Sequence, residues 1–208
     1  VAAELGVADH FADGPKRIDE LAAATATHPP SLYRLLRMLA GHGIFIEEKP
    51  GYFQLTPLAA TLQTGVAGSA RDAVRLAGDG SWWSAIGHLL HTVRTGEPAF
   101  KALNGSEFYE YLAKNPSAAL RFNRGMANGS SINNAAIAQC YDFGQFRRIV
   151  DVGGGQGGFI GAVLKAYPAV VGVLYDQPHV VREPASVTAF GVLDRCEIIG
   201  GNFFESVP

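Results

Sequence analysis

The 208-residue sequence is short of several things at once, and each shortage argues against a class of function. Cysteine occurs twice, as Cys140 and Cys196, far apart and in apolar company. Two such residues give neither a disulfide framework nor a Cys/His set with metal-ligand spacing, so no metal is implied and both are expected as buried free thiols of a reducing compartment. Charge is scarce too. Charged residues make up 17%, and 17 Lys and Arg against 19 Asp and Glu leave a formal net charge of −2. Such a balance carries no global positive field, which argues against nucleic acid and anionic membrane as partners. No apolar run reaches the roughly 18 residues of a membrane-spanning helix. The first residues lack the charged start and small-residue cleavage site of a secretory leader, so a cytoplasmic protein is expected. What is plentiful is apolar: hydrophobic residues, at 48%, suffice for a real core in one large domain or two small ones.

Three zones succeed one another. In residues 1–62, Leu5, Val7 and Phe11 suggest the end of an apolar helix. Ile18 to Ala24 reads as a short helix with Asp19 and Glu20 in its first turn, where the helix dipole favours acids. Pro29 and Pro30 break the chain, and Ser31 is placed to cap the next helix. Leu32, Leu35, Leu36 and Leu39 then recur at helical spacing, ended by Gly41 and Gly43. Ile44-Phe45-Ile46 and Tyr52-Phe53-Gln54-Leu55, around Lys49-Pro50-Gly51, form a short hairpin. Three helices and a two-stranded wing make a winged-helix pattern. Residues 63–143 read as helical, with an apolar stripe at Trp82, Trp83, Ile86, Leu89, Leu90 and Val93, and another at Phe108, Tyr109, Tyr111 and Leu112. Pro116 opens a long helix carrying Leu120, Phe122, Met126, Ile132 and Ile137. Residues 144–208 alternate: a strand at 148–152, a helix from Phe159 to Tyr167, a strand at 170–175, a mostly helical stretch from Val180 to Phe190, and a strand at 196–199. That alternation means βαβ units and a parallel sheet.

The chemistry concentrates at Asp151-Val152-Gly153-Gly154-Gly155-Gln156-Gly157-Gly158, which comes after a strand and opens a helix. Glycine there lets backbone come within contact distance of a ligand, and the helix N-terminus behind it favours negative charge, here a carboxylate. The spacing differs from the dinucleotide fingerprint. Five glycines in six positions exceed what a bare turn needs. Asp176, at the end of the second strand, is placed to accept hydrogen bonds from ribose hydroxyls; as a lone residue before Pro178 it would read as a helix cap. Asn202, with Phe203 and Phe204 after it, reads equally as an adenine contact or as a turn residue after Gly200-Gly201.

These residues resemble a known family. Val150-Asp-Val-Gly-Gly-Gly-Gln-Gly157, Leu174-Tyr-Asp-Gln-Pro-His-Val180 and Gly200-Gly-Asn-Phe-Phe-Glu-Ser-Val-Pro208 look like three successive S-adenosylmethionine motifs of the plant-caffeate and bacterial-antibiotic type O-methyltransferases. Glu4-Leu-Gly-Val7, Ser31 to Leu39 and Tyr52 to Pro57 look like that family's winged-helix dimerisation domain, and Phe122-Asn-Arg-Gly-Met126 with Ser130 resembles the helix joining its domains. The resemblance implies a mainly α winged-helix dimerisation region (1–62), helices for dimerisation and the acceptor pocket (63–143), and the first three strands of a Rossmann-like S-adenosylmethionine-binding α/β sheet (144–208). It implies a homodimer that methylates a hydroxyl of a small aromatic or polyketide-like molecule, leaving S-adenosylhomocysteine. It puts Asp151 and Gly153, Gly154 and Gly155 in the cofactor site, with the three glycines at the methionine part. Asp176 falls at the ribose, Asn202 and Phe203 at adenine, Met126 and Ser130 at the sulfonium side, and Phe122 with Met126 at the acceptor. From spacing alone Phe122 and Met126 read as helix core. The family usually has Asp where this chain has Asn202; an amide carbonyl there accepts from the adenine amino group without the charge.

The family's catalytic histidine, a base poised near working pH, lies in a His-Asp-Trp segment after the third motif. None of His10, His28, His42, His88, His91 or His179 matches it. The expectation is that this chain is an incomplete copy of a longer protein, with three strands leaving an unpaired edge and an uncovered face. Two rival readings remain. A winged-helix regulator would read DNA through Arg34 and Arg37, although leucines leave that helix little polar face. A relative could also keep the cofactor for hydroxylation or decarboxylation instead of methyl transfer.

Overall fold

Residues 1–66 and 68–208 are described by the computed structural model, and the side chain of Ile132 lies outside the described residues. The chain divides into two units, Val1–Gly125 and Met126–Pro208.

The first unit opens with α1 (Ala2–Leu5), a 3-10 turn over Val7–Phe11, β1 (Lys16–Arg17) and α2 (Ile18–Ala24). Glu20 Oε2 accepts from Arg17 N at 2.9 Å, so the acid expected at the start of α2 caps it. α3 (Pro29–Gly41) starts on the prolines and is not delayed past them. Proline suits a first helical turn, because its fixed φ is already helical and its missing N–H would have had no partner. Ser31 therefore lies inside α3, its hydroxyl paired with His28 Nδ1 at 3.0 Å, and does not cap it from outside. β2 (Phe45–Lys49) and β3 (Tyr52–Leu55) form the antiparallel wing, with Phe45 opposite Leu55. β1 pairs with the other side of β3 and makes it the centre of a three-stranded sheet. Val7, Phe11, Leu21, Leu32, Leu36, Phe45 and Phe53 converge into one buried cluster.

Short helices complete this unit: α4 (Pro57–Ala60), α5 (Arg71–Ala77), α6 (Gly80–Gly87), α7 (Leu89–Thr95), α8 (Ala99–Asn104) and α9 (Phe108–Lys114). The longest, α10 (Pro116–Cys140), begins in the first unit and ends in the second. Glu4 on α1 accepts from Arg75 of α5 at 2.8 Å and Arg121 of α10 at 2.9 Å. The two guanidiniums, Arg75 first, hold its carboxyl down at about 2. The stripe expected along residues 82–93 is interrupted at His88, and Trp83, Ile86, Leu89, Leu90 and Val93 are exposed. Among the described residues no helix is long and apolar enough to cross a membrane.

The second unit carries β4 (Arg148–Val152), α11 (Gly158–Ala166), β5 (Val171–Asp176), α12 (Ala185–Phe190) and β6 (Cys196–Gly200). The strands are parallel in the order β4-β5-β6. Ile160, Leu164, Leu174, Val181 and Val187 form the core between sheet and helices. Among the described residues β4 lies at one edge of the sheet, and Val150 and Val152, which share one face of it, are exposed. The helix expected from Val180 forms only from Ala185, because Pro184 disfavours helical backbone at the residue before it. Cys196 is buried but Cys140 is exposed, against expectation. Ala138 faces the core, and a residue two positions further along a helix points to nearly the opposite side.

Candidate functional site

The carboxyl ends of the three parallel strands align because their register does: Val152 lies opposite Tyr175, and Asp176 opposite Gly200. The segments leaving those ends are tied together by main-chain bonds. Gly153 N donates to Tyr175 O at 2.8 Å, and Gly201 N donates to Asp176 O at 2.9 Å. Asp176 stands at the junction. One carboxylate oxygen accepts from Gly155 N at 2.9 Å and the other from Gln177 N at 2.7 Å. Each oxygen still has acceptor capacity, which suits a pair of neighbouring hydroxyls.

Glycine is required in the turn for two separate reasons. Gly153 (φ 71) and Gly155 (φ 59) are left-handed, and open space lies where a Cβ would project. Gly157 (φ 81) is also left-handed, but a Cβ there would run into Val187. The outer glycines thus keep a surface bare, while Gly157 lets α11 seat on its core. Beneath the turn, Asp151 Oδ2 accepts from Ile160 N at 3.3 Å. A Cβ at Gly154 would stand 2.6 Å from that oxygen and from Leu174 Cδ1. Burial pushes the Asp151 carboxyl above its usual value; the Ile160 bond opposes the rise and the Asp176 charge adds to it.

The remaining sequence-derived residues fall into two groups. Asn202 comes directly after Gly201, so it begins one residue from the Asp176 bond. Its amide donates to Glu205 Oε1 at 2.9 Å and accepts from Phe204 N at 3.1 Å. The rings of Phe203 and Phe204 lie 4.5 Å apart beyond it. Met126 and Ser130 sit four residues apart on α10 and so share a face. Phe122 belongs to the first unit, in an aromatic cluster with Phe108 (centroids 5.1 Å apart) and Tyr109 (6.3 Å). Phe100 and Trp82 extend it through Phe108. One contributor is absent from the sequence-derived set. Tyr175 is buried on β5, and its hydroxyl donates to Ser206 O at 2.7 Å, holding the segment after β6. A tyrosine in a strand otherwise made for burial is a usable signal, because its hydroxyl needs a partner.

Two family models match the chain. One, described as an O-methyltransferase domain, covers residues 86–208; the other, an O-methyltransferase dimerisation domain, covers residues 1–65. Among curated proteins, a phenazine O-methyltransferase, PhzM, from Lysobacter antibioticus is 43% identical over 209 residues. The match takes in 100% of this chain and 61% of that relative, so the chain spans about three fifths of its length. Among solved structures, LaPhzM superposes with a TM-score of 0.92 at 42% identity, over 100% of this chain and 62% of that one. CalO1, a methyltransferase in calicheamicin biosynthesis solved in its SAH-bound form, superposes with a TM-score of 0.83 at 33% identity, over 100% and 62%.

Proposed function

Since the chain belongs to the O-methyltransferase family, we propose that the whole protein transfers a methyl group from S-adenosylmethionine to a hydroxyl of a small aromatic or polyketide-like molecule. The observation that carries this reading is the Asp176 carboxylate bonded to Gly155 N beside two glycines with open faces. The residues fit the cofactor. Bare backbone at Gly153 and Gly155 admits its methionine part, and Asp176 retains acceptor capacity for both ribose hydroxyls. The bound cofactor supplies a methyl carbon made electrophilic by the adjacent sulfonium. This chain's residues bind and orient: Gly153, Gly154 and Gly155 at the methionine part, with Asp151 fixing the turn from below; Asp176 at the ribose; Asn202 and Phe203 at adenine; Met126 and Ser130 at the sulfonium side. Phe122 and Met126 contact the acceptor. The rings around Phe122, set edge to face, support a planar aromatic acceptor, and PhzM and CalO1 act in phenazine and calicheamicin chemistry.

We assign dimerisation to residues 1–62, further dimer and acceptor contacts to 63–143, and cofactor binding to 144–208, in a cytoplasmic homodimer. Its partners are small molecules, not nucleic acid or membrane. The test is calorimetric titration of S-adenosylhomocysteine into the whole protein. One-to-one binding is expected, weakened about a hundredfold or more in Asp176→Ala, since charge-assisted bonds to two hydroxyls are lost. No binding by the unsubstituted protein would sink the reading.

A further inference from the structure

α11 begins directly behind the glycine turn, and the N–H groups of its first residues have no partner within the helix. Side chains meet two of the first three. Ile160 N donates to Asp151. Phe159 N donates to the amide oxygen of Asn134 on α10 at 3.2 Å, and the amide nitrogen donates to Ser130 O at 3.3 Å, with the amide turned so that each end meets its complement. The approach is close enough that a Cβ on Gly158 would stand 3.1 Å from the Asn134 amide group.

Met126, Ser130 and Asn134 recur at four-residue steps, so they share one face of α10. The last of them is fastened to the helix that the glycine turn feeds. Asparagine is a poor residue for a helix interior, and here both of its polar groups are used. An amide places an acceptor and a donor on separate atoms of one short tip, so it can serve both partners at once. We infer that Asn134 is a positioning residue of the cofactor site: by bridging Phe159 N and Ser130 O it sets the spacing between the Met126–Ser130 face of α10 and the glycine turn at 153–157. This rests on the cofactor reading proposed above. It also gives Gly158 a reason distinct from backbone freedom, since a Cβ there would crowd the Asn134 amide by a few tenths of an ångström. Because Phe159 N and Ile160 N are already satisfied, α11 does not offer its whole N-terminus to a ligand carboxylate, as the sequence pattern suggests; the bare turn before it carries the recognition.

The test uses the whole protein and S-adenosylhomocysteine as probe. Asn134→Ala is expected to raise its Kd about tenfold, the effect of one misplaced hydrogen-bonded contact set, and to speed hydrogen exchange at the Phe159 amide. Asn134→Asp keeps the acceptor for Phe159 N and gains from the helix dipole but loses the donor for Ser130 O, so its Kd is expected to fall between the unsubstituted and alanine values. A merely structural role would lower Tm while leaving the Kd of the folded protein unchanged, and that outcome overturns the inference. So does an aspartate variant as weak as the alanine one. Should the alanine variant fail to fold, Asn134→Gln decides: it carries both groups on a stem one carbon longer, weaker binding supports the positioning role, and unchanged binding overturns it. No binding by the unsubstituted protein removes the cofactor reading and this inference together, whereas equal binding by all variants removes this inference alone.

Discussion

Asp176 is held by two main-chain amides, so its orientation is set by the protein and does not wait for a ligand. The glycines around it separate cleanly into those that face outward and those that face the core, and this yields a paired prediction. Gly157→Ala drives a methyl group into Val187 at a left-handed φ, and should cost about 2–4 kcal/mol in urea unfolding. Gly153→Ala meets no atom, so it should cost only about 1 kcal/mol of backbone strain yet weaken S-adenosylhomocysteine binding by tenfold or more. Equal stability losses at the two sites would contradict the division. Asp151 makes a pH prediction. Its carboxyl is raised in the folded protein above the ordinary 3.8, mainly by burial. A raised acid contributes stability that is complete below the unfolded value and is lost as pH rises through the folded one. Asp151→Asn keeps an acceptor for Ile160 N and carries no charge, so it should be more stable than the unsubstituted protein at pH 7 and equal to it near pH 3, read as the difference between two urea curves. Most of this site is legible in sequence because left-handed glycines and a strand-end acid are local requirements. Asn134 is not legible: its role depends on which helix it meets, and nothing in the sequence sets it apart from Asn123, Asn128 and Asn133 in the same helix. Asn202 stays two-sided in sequence because an amide that closes its own turn and one that meets a base look alike until the turn is built.

Individual elements show where local signals suffice and where they compete. The wing, α2 and the three parallel strands arise from apolar alternation and from breakers at their ends. β1 could not be anticipated, because Lys16-Arg17 is two polar residues paired only by main chain. Pro29 and Pro184 mislead in opposite directions. Pro29 opens a helix that its sequence places later, and Pro184 delays one that its sequence places earlier. Both outcomes come from a residue that suits the first turn and disfavours helix before itself. The end of α11 rests on a contact far away in sequence. Arg195 donates to Leu164 O at 2.7 Å and, through its other nitrogen, to Val170 O at 2.9 Å and Tyr167 O at 3.4 Å. The guanidinium thus satisfies carbonyls at a helix C-terminus, where positive charge is also favoured. Arg195→Met keeps the stem and leaves those carbonyls without their donor. It should lower stability by about 1–3 kcal/mol, seen as a drop of several degrees in Tm, with S-adenosylhomocysteine affinity little changed because the carbonyl ends lie at the far end of α11 from the glycine turn.

At the scale of the whole molecule, the first unit has more apolar surface than its own core uses. Trp83 and Ile86 on α6 are 62% and 60% exposed, and Leu90 and Val93 on α7, beyond the break at His88, are 59% and 75% exposed. A row of exposed apolar side chains is the kind of surface that contact sites use. The matching dimerisation model covers residues 1–65 and ends before this row, so the row is the place to test the proposal that residues 63–143 add dimer contacts. In a two-fold dimer each substitution acts twice, once per copy. Burying an isoleucine side chain is worth about 1.5–3 kcal/mol, so Ile86→Asp should weaken self-association at least about a hundredfold. Sedimentation of the whole protein at micromolar concentration is the measurement. A dimer is expected for the unsubstituted protein and a concentration-dependent monomer for Ile86→Asp, with His88→Asp, at an exposed polar position in the same stretch, as the control for charge alone. A dimer equally tight in both variants would move the interface off this row, and a monomeric unsubstituted protein would remove the homodimer altogether.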